Sequence, residues 1–441
     1  MMANKRDIIF LGMLVVWLPL QAKTAVSAYY RNAITSMMVY HPEDEFGYEV
    51  FKIFKRLPAL DKYDNHDIQV RVIDNSYISG VEGSSSGLNK QVYGQSMVLT
   101  AEEKEANGQA LLSILEKGEV AKRMIAKWFN LTGDSVQNSF FNTQLLEDRL
   151  EYNTSVMEAE KIKYTIEGRA ALQDVSEQLI EHSFVLVSDI TYITAENRAD
   201  AAKTAFSILG GITDAIFGGN AGRNVAALAG GIADQFTGFK VMTHTYLYQI
   251  EWNDSLMNEF YVRYFTPVPN AERMRDFVDD KTSFHLRYLG EESSVFEKTE
   301  VKGKYDRTQL LEFITARSID KNVASLQTKY EEFRVKSPIT AVEYTKNGKI
   351  AGYRALIGEK EDISPTSTFE VLEPSLENGK IVYHRIGTVK PASNQIWDNR
   401  FNALMENDVD VSTEGTLFKA VGKSAQPIEA GMLLRLLKQK Q

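Results

Sequence analysis

Two early runs alternate apolar and polar positions: SMMVYHP (36–42) and DIQVRVIDNSYI (67–78). A period of two predicts strands. The pattern then lengthens. Thr100 opens a capping box with Glu103, Ala106, Leu111, Ile114 and Leu115 fall along one side, and Gly118 stops the predicted helix. EVAKRMIAKWFN (119–130) puts Val120, Met124, Ile125, Trp128 and Phe129 at helical spacing, and a further helical region is predicted over 144–182. These helices are amphipathic, so they are expected to cover a core.

At Ser183 the period changes again. SFVLVSDITYI (183–193), FKVMTHTYLYQIEW (239–252), EFYVRYF (259–265) and SFHLRYLG (283–290) are dense in β-branched and aromatic residues, which predicts four neighbouring strands with NDS (253–255) as a turn. Residues 306–334 read as a polar surface or connecting helix ended by Pro338. Beyond it, TKNGK (345–349) and LENGK (376–380) place Asn-Gly between alternating runs, the residue pair that best tolerates the positive φ of a tight hairpin. With GTLFKAV (415–421) and GMLLRLLK (431–438), five or six short strands are expected.

The predicted fold is therefore α+β. A mixed sheet with covering helices and a Gly/Ala-rich helical insertion (195–236) occupies 29–336, and a small β-barrel of the SH3-like or OB-like kind occupies 338–441.

That insertion contains KTAFSILGGITDAIFGGNAGRNVAALAGGIADQF (203–236). A phosphate loop would need a Lys-Ser/Thr pair after its last glycine, and GGNAGRN lacks it. A spanning helix needs about 20 uncharged residues, whereas Asp214, Arg223 and Asp234 interrupt the tract. What survives is a strip of Gly218, Gly222, Ala226 and Gly230 at every fourth position, flat enough for another backbone to approach. Each glycine weakens an isolated helix by about 0.8–1 kcal/mol relative to alanine. The strip thus requires a close neighbour: a helix of the same chain, a second copy, or, least favoured, a lipid surface.

Composition narrows the setting. The chain has 441 residues, enough for more than one core, and a net charge of −9 without a basic block, which excludes nucleic acid as a partner. Lys5 and Arg6 precede an apolar run from Ile8 to Leu20, 13 residues that include Pro19. This is too short for a span of about 20 residues and is laid out as a secretory signal over 1–22, with an alternative cut after residue 28. The expected location is the periplasm or cell surface. The chain has no cysteine, so stability is expected from cores without disulfides, and thiol chemistry is excluded.

Chemistry-bearing residues are sparse. GSSSG (83–87) fits a nucleophile-elbow pattern around Ser85, but neither a strand pattern before it nor a helix pattern after it supports one, and a flexible loop is expected. His41, Glu43, Asp44 and Glu45 are metal-ligand types without metal-ligand spacing, expected as a solvated acidic loop. The six histidines, His41, His66, His182, His244, His285 and His384, are scattered along the chain. Trp397 and Arg400 in IWDNR (396–400) form a candidate binding surface, weighed against a role in closing the barrel core. No catalytic residue is identifiable from the sequence, and no cofactor or metal is expected.

The words AKWFN (126–130), FVLVSDITYI (184–193), YLYQIEWND (246–254) and IWDNR (396–400), in that order, resemble a family of secreted proteins from Bacteroidales-type gut bacteria that has no assigned activity. The resemblance implies export and a shared architecture, and it carries no catalytic residue across. The order of elements is also similar to envelope proteins of curli secretion and flagellar assembly, a likeness without a shared motif. The expected function is an exported, non-enzymatic binding or assembly protein of the cell envelope, with a protein partner or self-association. The alternatives are a secreted hydrolase acting on glycan or peptide, and a membrane-associated oligomer using the glycine strip.

Overall fold

The computed structural model describes residues 32–42, 44, 46–57, 68, 72–74, 99–146, 179–194, 236–301, 306–377, 380–401 and 414–437. The strip Gly218, Gly222, Ala226 and Gly230, Ser85, Glu43, Glu45, His66, the N-terminal apolar run and most of the 144–182 region lie outside the described residues.

The fold class is as the patterns predict, α+β with a mixed sheet followed by a small closed barrel. The sheet contains β1 (Ala33–Tyr40), β2 (Val72–Asp74), β3 (Ser183–Thr194), β4 (Phe236–Ile250) and β5 (Leu286–Val301) in the order β2-β1-β3-β4-β5. The first three run parallel, while β4 and β5 are antiparallel to their neighbours.

Strand alternation sends each sheet face to its own core. Met37, Val39, Val185, Val187, Tyr246 and Tyr248 pack with Leu111, Leu115, Ile125 and Trp128 of α2 (Ala101–Lys117) and α3 (Val120–Trp128). Ile34, Met38, Phe184, Leu186 and Leu247 pack on the other face with Ile53 and Phe54 of α1 (Gly47–Arg56). The capping box forms: Thr100 Oγ1 accepts from the Glu103 amide at 3.2 Å, and Glu103 Oε2 accepts from the Thr100 amide at 2.9 Å. Midway along α2, a Cβ on Gly108 would lie 2.3 Å from the Tyr288 ring, so the missing side chain lets the helix ride close to β5.

Three expectations are corrected. EFYVRYF is helical: α4 (Asp254–Glu259) runs into a π-helical turn over Phe260–Tyr264. Asn253 caps it by accepting from the Ser255 and Leu256 amides, both at 3.0 Å, so NDS starts a helix where a strand turn was expected. Tertiary packing overrides β propensity here. Phe260 and Tyr264, four residues apart, are both buried, with the Phe260 ring 4.4 Å from Phe129 and 5.3 Å from Phe141, whereas Val262 is 74% exposed.

The second correction is α6 (Arg307–Lys329), following α5 (Ala271–Asp279): instead of lying on the surface it is packed into the second core through Leu310, Leu311, Ile314, Ile319, Val323 and Leu326. Thr315, Ser318 and Asn322, its buried uncharged polar residues, are satisfied internally, so polarity did not mean exposure. Thr315 Oγ1 donates to the Leu311 carbonyl at 2.7 Å, Ser318 Oγ lies 2.7 Å from Thr243 Oγ1, and Asn322 Nδ2 donates to the Thr243 carbonyl at 2.8 Å. Third, α6 ends at Lys329, and Pro338 lies within a barrel strand.

The barrel strands β6 (Lys336–Tyr344), β7 (Ile350–Ala355), β8 (Phe369–Glu377), β9 (Lys380–Pro391), β10 (Thr416–Ala420) and β11 (Leu433–Leu436) close in the order β10-β7-β6-β11-β8-β9. Asn-Gly joins β6 to β7, with Gly348 at φ +73°, and β8 pairs with β9 across the second Asn-Gly. Phe369, Val371, Val389, Phe418 and Leu434 fill the interior. Leu372, Tyr383 and Leu433 belong instead to the first core, which joins barrel and sheet. Among the described residues, no helix is long and apolar enough to cross a membrane.

Candidate functional site

The helices around β1 sit on opposite faces: α1, which leads from β1 to β2, packs on one, while α2 and α3, which precede β3, pack on the other. The boundary between β1 and β3 is therefore a point where the winding of the parallel strands reverses. In open sheets of this kind, ligands favour the crevice at the carboxyl ends of such strands.

Level with the carboxyl end of β1, and crossing the middle of β3 and β4, runs a row of titratable side chains. His41 follows the last residue of β1, and its Nε2 lies 2.6 Å from Asp189 Oδ1 on β3, both groups buried. Asp189 pairs across the ladder with His244 on β4, and His244 in turn with Ser293 on β5. His244 Nδ1 lies 2.6 Å from Glu291 Oε1, while Lys104 of α2 reaches Glu291 Oε2 at 2.9 Å and donates to Ser293 Oγ at 3.2 Å. Tyr246, next to His244 on the same face, accepts a long 3.5 Å hydrogen bond from Asn107 of α2.

Electrostatics follow from this packing. Burial pushes the Glu291 carboxyl up, but His244 and Lys104 outweigh it and hold the group below the usual carboxylate range. Burial, with Asp189 and Glu291 nearby, raises the Tyr246 hydroxyl well above its ordinary value, so it stays protonated and able to donate. Each imidazole is oriented through one nitrogen by a carboxylate. For His244 the oriented nitrogen is Nδ1, and Nε2 makes no hydrogen bond among the described residues. Such a row can hold a ligand by fixed donors and acceptors, or orient an imidazole for proton transfer. Among the described residues no group of three His, Asp or Glu side chains is arranged to hold a metal ion.

The structure brings together only part of what the sequence marked. His41 leaves the expected solvated loop for this row. Asp189 and Glu291 were not singled out, although a carboxylate inside the apolar run FVLVSDI was a usable signal. His182 is half-buried near Lys336, and desolvation followed by that charge drives its pKa down to about 3. His285 bridges Glu116 at 3.0 Å and the Thr282 carbonyl at 2.7 Å, away from the row.

Trp397 and Arg400 stitch the barrel instead of joining the row. The Trp397 carbonyl accepts from the Glu359 amide at 2.9 Å, and Arg400 grips Asp398 at 2.6 and 2.7 Å and Glu359 at 2.9 Å. Asn399 ties Lys360 and Glu361 to the same segment at 2.8 and 2.9 Å.

A scan against protein-family models finds no match, and a search of the curated proteins finds none either.

Proposed function

We propose that the chain is an exported, non-enzymatic binding or assembly protein of the cell envelope, and that it takes its ligand at the carboxyl end of β1, beside the middle of β3. The observation that carries the binding site is the row His41, Asp189, His244 and Glu291, which lies where the winding reverses and is held rigid by its own pairs and by Lys104. Export rests on the basic pair and short apolar run at the N-terminus.

A secreted hydrolase is the second reading. It draws on His244, whose Nδ1 is held by a carboxylate in the manner of a general base.

One experiment separates the two. The chain lacking residues 1–28 is incubated with soluble envelope fragments, glycan and peptide, and followed by thermal shift and mass spectrometry. Binding predicts a fragment that raises Tm for the wild type, a gain lost in Asp189→Ala and His244→Ala, with the fragment recovered intact. Cleavage of the fragment, lost in His244→Ala, would replace the binding reading with the hydrolase. The absence of any stabilising fragment, or an equal gain in both variants, would remove the site.

A further inference from the structure

One turn of α6 touches two distant parts of the molecule. Ser318 and Asn322 lie four residues apart and so on one face of the helix. Ser318 Oγ lies 2.7 Å from Thr243 Oγ1, and Asn322 Nδ2 donates to the Thr243 carbonyl at 2.8 Å and to Thr245 Oγ1 at 3.1 Å. Thr243 and Thr245 flank His244, whose side chain points to the opposite face of the sheet. Two of the residues between Ser318 and Asn322 meet the barrel instead, while Ile319 stays in the second core. Lys321 Nζ bonds Asp362 Oδ2 at 2.8 Å, and Asp320 faces the turn Glu359–Glu361.

Asp320 is the odd member of this junction. It is half-buried, and no hydrogen bond to its carboxylate is made among the described residues. Around it stand Arg317 and Lys321 of its own helix, Glu359, Lys360, Glu361 and Asp362 of the barrel turn, and Asp398 and Arg400 of the following segment. Most of these charges are engaged with one another: Arg400 with Asp398 and Glu359, Glu361 with the Gly358 amide at 2.7 Å and Asn399 at 2.9 Å, and Lys321 with Asp362. An ionised Asp320 is therefore poorly compensated where the helix meets the barrel.

We infer that the turn Ser318–Asn322 is a positioning element for His244, and that the charge on Asp320 sets it by tightening or loosening the seating of the barrel on α6. Acidification neutralises Asp320 and favours close seating; ionisation loosens it. Burial raises the Asp320 carboxyl to about 6, which places the change in a range that an exported protein meets. The consequence for ligand binding rests on the site proposed above, but the mechanical link does not.

The test uses the full chain with 15N-labelled histidines. Imidazole resonances of His244 and His41 are compared between wild type and Asp320→Asn at pH 7.5 and pH 5. His244 is expected to differ between the two proteins at pH 7.5 and to coincide at pH 5, where wild-type Asp320 is also neutral. His41, which α6 does not touch through these hydrogen bonds, is expected to coincide at both. A His244 difference of the same size at both pH values, or none at either, overturns the inference, as does an equal movement of His41. Lys321→Ala, which removes the 2.8 Å pair without burying a charge, is expected to displace His244 at both pH values and supplies the readout if Asp320→Asn does not fold. A negative result here leaves the fragment-binding experiment unaffected, so the two readings fail separately.

Discussion

Asp320 and Lys336 make the stability of the fold depend on pH in opposite senses. Burial raises the Asp320 carboxyl from 3.8 to about 6, so its favourable contribution is complete below about pH 4 and lost as pH rises through 6. Burial, then Arg334, lowers the Lys336 ammonium from 10.5 to about 7, so its contribution is present at high pH and lost as pH falls through 7. Asp320→Asn is expected to stabilise the protein at pH 7 by up to about 3 kcal/mol and to leave it nearly unchanged near pH 4. Lys336→Met is expected to stabilise it below pH 7, with little effect at pH 10. Urea unfolding across this range checks both, and a gain from Asp320→Asn that is larger at pH 4 than at pH 7 would contradict the assignment. Neither group was legible in the sequence, because a desolvated carboxylate and an exposed one look alike until the surrounding elements are placed.

At the scale of elements, the segment 254–264 gives the sharpest contrast. In a strand, residues 260, 262 and 264 would share a face, whereas in the helix only 260 and 264 do. Phe260→Ala is therefore expected to cost about 3–5 kcal/mol by emptying the aromatic cluster, and Val262→Ala less than about 0.5 kcal/mol. Comparable losses at both positions in a denaturant titration would favour the strand. Elements whose signal is local were readable: the Thr100–Glu103 box, the 119–130 periodicity and both Asn-Gly hairpins required no knowledge of neighbours. Segment 259–265 and α6 were misread because distant residues decide them. Phe129 and Phe141 make a helix out of a β-rich stretch, and Thr243 and Thr245 give the polar face of α6 a buried partner. The row on the sheet was hidden for the same reason, since His41, Asp189, His244 and Glu291 are separated along the chain and meet only through strand register.

For the molecule as a whole, α6 holds the parts together: it lies on β4 and β5 with one face and receives the barrel on another, while Leu372, Tyr383 and Leu433 extend the sheet's core into the barrel wall. The ladder between β3 and β4 has a further consequence. Thr194, the last residue of β3, pairs with Phe239, while β4 begins three residues earlier at Phe236 and pairs there with β5. The segment 195–235 thus joins the end of β3 to the start of β4, two strands paired directly with each other. Replacing it with a short Asn-Gly turn is expected to leave the melting temperature of the sheet within a few degrees of wild type, because closing a shorter loop costs less entropy. Any partner held by the Gly218, Gly222, Ala226 and Gly230 strip would be lost with this segment, while any ligand of the row beside His244 would be kept. Exchange of this one tract therefore tests a partner of the strip separately from a ligand of the row, on one and the same scaffold.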